Sequence, residues 1–154
     1  MKFSTNARRR ALTQGLAAAA ALGSAGLAAP PAHAFQKAAF EAKTVPEALK
    51  ALGVTTLASS REVSVQGPEI AENGAVVPLT VGTSLAGIRQ LAVLVEKNPA
   101  VLVALFQLNP ALEPSFSLRI KMAESSDVWA VAVASDGKAW VAKRDIRVTL
   151  GGCG

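Results

Sequence analysis

The chain has 154 residues, 51% of them hydrophobic, with 16 Lys and Arg against 11 Asp and Glu and a pI near 9.8. One His, one Cys and no Tyr leave few groups for acid–base catalysis or metal binding. The cationic excess suggests a nucleic-acid partner until its placement along the chain is read.

That placement removes the suggestion. Arg8, Arg9 and Arg10 precede a weakly apolar run from Leu12 to Leu27, which closes on Ala32-His33-Ala34, a small-residue cleavage pattern. Residues 1–34 therefore read as a signal peptide cut after Ala34. The run is too short and too alanine-rich to stay behind as a membrane span. Paired arginines, with Leu12 behind them, point to the twin-arginine route, which delivers folded proteins to the periplasm. Four of the 16 cations (Lys2, Arg8, Arg9, Arg10) lie in this leader, so the remaining 120 residues carry 12 cations against 11 acids. Neither nucleic acid nor membrane is an expected partner. His33 leaves with the leader, so no imidazole remains as general base or metal ligand.

Phe35 to Gly53 reads as helical, with capping-box spacing at Thr44 and Glu47, Pro46 in a first turn and Gly53 as the stop. Strand patterns follow. Val63 and Val65 alternate with polar residues. Asn73-Gly74 reads as a turn before a strand from Ala75 to Val81, where Pro78 implies an edge or a bulge. Ile88–Val95 and Val101–Leu108 are apolar runs separated by Asn98-Pro99, and their β-branched content favours strands. Phe116, Leu118, Ile120 and Met122 mark a half-buried strand. Val128–Ala134 and Lys138–Lys143 flank Asp136-Gly137, a two-residue hairpin signal that would set Val133 opposite Trp140. The small residues Ala130, Ala132 and Ala134 share the other face, to be covered by a partner or by the chain's own strands. Ile146, Val148 and Leu150 form a last alternating strand. About seven short strands in roughly 100 residues predict an immunoglobulin-like antiparallel β-sandwich with a short N-terminal helical segment, a small barrel being the alternative.

The chain ends in Gly151-Gly152-Cys153-Gly154. An unpaired cysteine in an oxidising compartment implies an intermolecular bond or a reactive thiol. Glycines on both sides uncover the sulfur and permit backbone angles closed to other residues. Such a flexible arm can carry a thiol into a narrow channel of another protein. Nothing in the arm lowers the thiol pKa from its usual value of about 8.5, so the activating charge is expected from a partner. Trp129 and Trp140 read as packing residues. Arg119, Lys121, Lys143 and Arg147 read as a solvated face, with steering of sulfur oxyanions as the alternative.

The run LRIKMAESSDVWAVAVASDGKAWVAKRDIRVTLGGCG, together with PEIAENGAVVPLTV at residues 68–81, resembles the SoxY family of sulfur-carrier subunits in bacterial thiosulfate oxidation. The resemblance implies covalent attachment of sulfur substrates at Cys153 and no catalytic site, cofactor or metal of the chain's own. It implies a heterodimer with a SoxZ-like β-sandwich subunit. It also implies three partner enzymes: a c-type cytochrome that couples thiosulfate to the thiol, a manganese hydrolase that releases sulfate, and in many systems a sulfane dehydrogenase. The family tail usually carries a further glycine after Gly154, which bears on how the tip fits partner channels. Two other readings use the same tail. One is an exported structural protein cross-linked through Cys153. The other is a ubiquitin-like sulfur carrier with a C-terminal thiocarboxylate, which needs nucleotide activation in the cytoplasm.

Overall fold

The computed structural model describes residues 32–111 and 113–150. They begin with two helices, α1 (Ala32–Glu41) and α2 (Val45–Ala51), where the sequence predicts one helical stretch. The break falls at Thr44, whose extended backbone (φ −131°, ψ 151°) is the N-cap of α2. Thr44 Oγ1 accepts from the Glu47 N–H (3.4 Å), while Glu47 Oε2 accepts from the N–H groups of Thr44 (3.3 Å) and Lys43 (3.0 Å). The capping box forms as its spacing predicts. A capping box begins a helix, so it also ends continuity with whatever helix precedes it.

Nine strands follow: β1 (Thr56–Ser59), β2 (Val63–Gln66), β3 (Ile70–Ala71), β4 (Val77–Thr83), β5 (Ile88–Val95), β6 (Leu102–Gln107), β7 (Ser115–Ile120), β8 (Ser126–Ala134) and β9 (Lys138–Val148). The larger sheet runs β1-β9-β8-β5-β6, with β3 beside the far end of β9; the smaller runs β2-β4-β7. The fold is thus mostly β, in two sheets. Two of its pairings depart from the expected antiparallel arrangement. β1 runs parallel to the first part of β9 (Thr56↔Lys138 to Ser59↔Val141), and β3 parallel to its end (Ile70↔Arg147, Ala71↔Val148). At four and two residues these strands are too short to show a period in the sequence.

β4 is the centre of its sheet and not an edge. Its pairing with β2 stops at Gln66↔Thr80, however, so Pro78 is paired only to Arg119 of β7. A proline is tolerated there because one side of the strand has no partner.

The β8–β9 hairpin differs from expectation by one residue. The Gly137 N–H donates to Ala134 O (3.2 Å), and Gly137 has φ +84°. The loop is therefore Ser135-Asp136-Gly137, a turn closed by a left-handed glycine and not a two-residue connection. Val133 pairs with Ala139, and Trp140 with Ala132. The shift moves Trp140 to the face of the alanine row. The two predicted strands of the last segment are also one, β9, eleven residues long.

Two apolar layers result. Between the sheets, Leu79 and Val81 pack with Leu91, Val93, Ala130, Ala132 and Ile146. On the opposite face of the larger sheet, Leu94, Val131, Val133 and Val141 meet Ala39, Ala48 and Leu52 of the helical layer. The chain's own second sheet therefore covers Ala130 and Ala132. Phe106 of β6 and Phe116 of β7 stack with centroids 4.2 Å apart and planes 6° from parallel, joining the two sheets at one side. Among the described residues no helix is long and apolar enough to cross a membrane.

Candidate functional site

The predicted site residue Cys153 and the arm glycines Gly151, Gly152 and Gly154 lie outside the described residues. Of the leader expected over residues 1–34, only Ala32, His33 and Ala34 are described, at the start of α1. The structure does describe the root of the arm at Leu150 and the contacts that hold it.

Both edges of the chain are bonded up to that point. On one edge, the Arg147 N–H donates to Glu69 O (2.9 Å) and the Thr149 N–H to Ala71 O (3.0 Å), and the Gly74 N–H donates to Leu150 O (2.8 Å). Thr149 Oγ1 adds a bond to Glu72 O (2.9 Å). On the other edge, the Val148 N–H donates to Ser125 Oγ (2.8 Å), and that hydroxyl donates to Val148 O (3.4 Å). Each such bond contributes only about 0.5–1.5 kcal/mol net. Leu150 itself is held by the single Gly74 bond, and Arg147, Val148 and Thr149 before it by the others.

Asn73-Gly74 supplies the clasp. Asn73 Oδ1 accepts from the Ala75 N–H at 2.8 Å, and Gly74 O accepts from the Met122 N–H at 2.7 Å. Gly74 thus holds the arm root with its N–H and the start of the 122–125 loop with its carbonyl. The expected turn is real, but it joins β3 of the larger sheet to β4 of the smaller and makes no hairpin. Sequence reasoning missed Thr149, Ser125 and the Glu69–Gly74 segment as parts of the site. The available signal was the Asn-Gly pair, whose side-chain turn chemistry serves a clasp as readily as a hairpin.

The candidate cations do not converge. Arg119 lies on the outer face of the smaller sheet, beside an open cleft of about 890 Å³ that Gln66, Thr80 and Ser117 also line. Lys143 Nζ sits 3.5 Å from the centroid of the Trp129 ring, whose Nε1–H donates to Glu96 Oε2 (3.3 Å). Arg147, near the arm root, shares a cleft of about 520 Å³ with Lys97, Asp127 and Asp145, so its surroundings are of mixed sign. Lys121 is exposed. Trp129 packs on the helix-side core and Trp140 on the inter-sheet core, as packing residues do. Among the described residues no group of three or more Asp, Glu, His or Cys could hold a metal ion.

Comparison with known proteins settles the family. The model of the family "Sulfur oxidation protein SoxY" matches residues 48–153, a span that includes Cys153. Among solved structures, the sulfur carrier protein SoxY from Chlorobium limicola f thiosulfatophilum is 37% identical, with a TM-score of 0.56 over 62% of this chain and 86% of that one. A superoxide reductase (neelaredoxin) from Ignicoccus hospitalis is 19% identical, with a TM-score of 0.47 over 57% of this chain and 80% of that one. No match emerges among curated proteins. The chain belongs to the SoxY family of sulfur-oxidation proteins.

Proposed function

We propose that this protein is a covalent carrier in thiosulfate oxidation, holding sulfur intermediates on Cys153 Sγ and presenting them to partner enzymes. The observation that carries the reading is the family match extending through residue 153. The clamp that ends at Leu150 gives it a physical basis. Thiols suit this work because S–S bonds form and exchange reversibly.

In the proposed loading step the thiol and thiosulfate form a cysteine S-thiosulfonate, releasing one proton and two electrons. A c-type cytochrome partner accepts the electrons. Hydrolysis by a manganese-dependent partner cleaves the terminal S–S bond: water supplies the oxygen of the departing hydrogensulfate and the proton left on Cys–S–SH. A sulfane dehydrogenase is the proposed consumer of that remaining sulfur. The carrier contributes position and no acid, base or metal to either step. A SoxZ-like subunit is the family-level partner. Export by the twin-arginine route and an immunoglobulin-type topology for the sandwich belong to the same proposal.

The test is intact-mass and peptide spectrometry, without reductant, of the protein from cells grown on thiosulfate, beside a Cys153→Ser control. Reductant-labile sulfur and sulfonate adducts on the C-terminal peptide, absent from the control, are the expected result. A thiol found only in a protein–protein disulfide would instead identify a cross-linking protein.

A further inference from the structure

Asn73-Gly74 holds the parts of a spontaneous reaction together with one bond that stops it. In an Asn-Gly pair the glycine nitrogen can attack the asparagine side-chain carbon, because glycine has no side chain to obstruct the approach. The sequence has four asparagines: Asn6 in the expected leader, Asn73, Asn98 and Asn109. Proline follows both Asn98 and Asn109, and its nitrogen has no proton to give up. Asn73 is thus the one asparagine beyond the leader that can react in this way. At Asp136-Gly137, a related pair, the hydrogen bond from Lys138 Nζ (2.8 Å) holds the Asp136 carboxyl below its ordinary range, and an ionised carboxylate resists attack.

The geometry at Asn73 favours attack at one atom and blocks it at another. Asn73 is exposed, and its Oδ1 accepts from the Ala75 N–H at 2.8 Å. That oxygen takes up negative charge when Cγ is attacked, so a donor already sits where the charge develops. The attacking nitrogen belongs to Gly74, which is buried and whose N–H donates to Leu150 O at 2.8 Å. While this bond is closed the nitrogen keeps its proton and cannot act as a nucleophile.

We propose that Asn73 is a self-modification site locked by the arm root: deamidation waits for the Gly74–Leu150 bond to open, and the isoaspartyl product cannot close it again. Once the bond is open, the Gly74 nitrogen gives its proton to hydroxide and bonds to Asn73 Cγ. The Cγ–Nδ2 bond breaks and ammonia leaves, taking a proton from water, so that a cyclic imide remains. Water then opens the imide at either carbonyl, giving aspartate or isoaspartate with no change in oxidation state. In isoaspartate the main chain runs through Cγ and is one methylene longer. Gly74 has to meet both Leu150 O and the Met122 N–H, and the added methylene displaces it from that position. The inference does not depend on the carrier reading, since no step of it involves Cys153.

The experiment incubates the whole protein and the free peptide 62–89, which trypsin releases between Arg61 and Arg89, in the same mildly alkaline buffer. Deamidation is followed by peptide mass spectrometry and by enzymatic methylation of isoaspartate, with amide hydrogen exchange at Gly74 measured in parallel. The folded protein is expected to react more slowly than the peptide by about tenfold or more, by the factor that exchange reports for Gly74. Thr149→Val removes the hydroxyl bond to Glu72 O while keeping the side chain's shape. It should speed deamidation and Gly74 exchange together by about fivefold, the worth of one net hydrogen bond. Thr44→Ala, which weakens the cap of α2, should change neither rate. In the purified isoaspartyl form the Gly74 amide should exchange faster than before.

Equal rates in protein and peptide would overturn the lock. So would an acceleration by Thr44→Ala as large as that by Thr149→Val, which would route the reaction through global unfolding. An isoaspartyl form whose Gly74 amide exchanges as slowly as the original would show that the clasp closes over the product. If Thr149→Val folds poorly, the unsubstituted protein decides alone: slowing of deamidation that does not match the protection of Gly74 would mean that another contact holds the reaction back.

Discussion

Gly137 and Gly53 meet where the β8–β9 hairpin closes against the end of α2. Both have positive φ (+84° and +77°), and a Cβ added to Gly137 would lie 2.8 Å from Gly53 O and 3.1 Å from the Thr55 side chain. Gly137 O in turn accepts from the Thr55 N–H (2.8 Å) and Oγ1 (3.2 Å). The same turn carries an ion pair, Lys138 Nζ to Asp136 Oδ2 at 2.8 Å, which holds the Asp136 carboxyl below its ordinary range through the lysine hydrogen bond. Both partners are exposed, and pairs of that kind contribute little. The glycine therefore decides the turn. Gly137→Ala combines left-handed strain of about 1–2 kcal/mol with a 2.8 Å contact to backbone, which yields less readily than a side chain. Gly87, with φ +75° and nothing within 4 Å of an added Cβ, shares only the strain. Gly137→Ala is expected to lower the urea midpoint distinctly more than Gly87→Ala. Equal midpoints would show that the contact with Gly53 is relieved by a small shift.

At the level of elements, α2 has only seven residues, and isolated helices of that length do not hold in water. Its cap and its buried face must both contribute. Thr44→Ala removes one half of the capping box and should destabilise the fold by about 1 kcal/mol, measured by denaturant unfolding; Thr44→Ser should restore most of it. This cap was legible because its signal lies within four residues. β7 was legible for a similar reason: Phe116, Leu118 and Ile120 face the core while Ser117 and Arg119 face water. β5 and β8 are buried on both faces, so their apolar runs located them but said nothing of which residue faces which layer. Register was lost at one place, the Asp136-Gly137 turn, because loop length and strand ends exchange for one another in a sequence. The short parallel strands β1 and β3 were invisible, since what holds them is β9, some 80 residues away in the chain. The site divides in the same way. Cys153 stands out by composition, whereas the clamp is made of backbone bonds between distant segments, which no local pattern records.

For the molecule as a whole, the three layers have a common consequence for the arm. β9 is held by β8, by β1, by β3 and finally by the Gly74 clasp, so the last held residue among those described is Leu150. A fixed pivot turns the number of residues beyond it into a distance. If partner active sites lie at a set depth, that distance is a functional quantity in itself. Deleting Gly151 and Gly152 leaves the pivot and the thiol in place but shortens the greatest reach of Cys153 by about 7 Å. Misplacement of a reacting atom by even 1 Å is capable of costing about 100-fold in rate. Enzymatic loading of the shortened protein should therefore fall by at least that factor, while the small disulfide reagent, which needs no channel, reacts at nearly the original rate. Inserting two glycines should retain most of the loading, because a longer arm still reaches. A shortened protein that loads as fast as the original would mean that the clasp opens in the complex, and that the arm is longer in use than the four residues after Leu150.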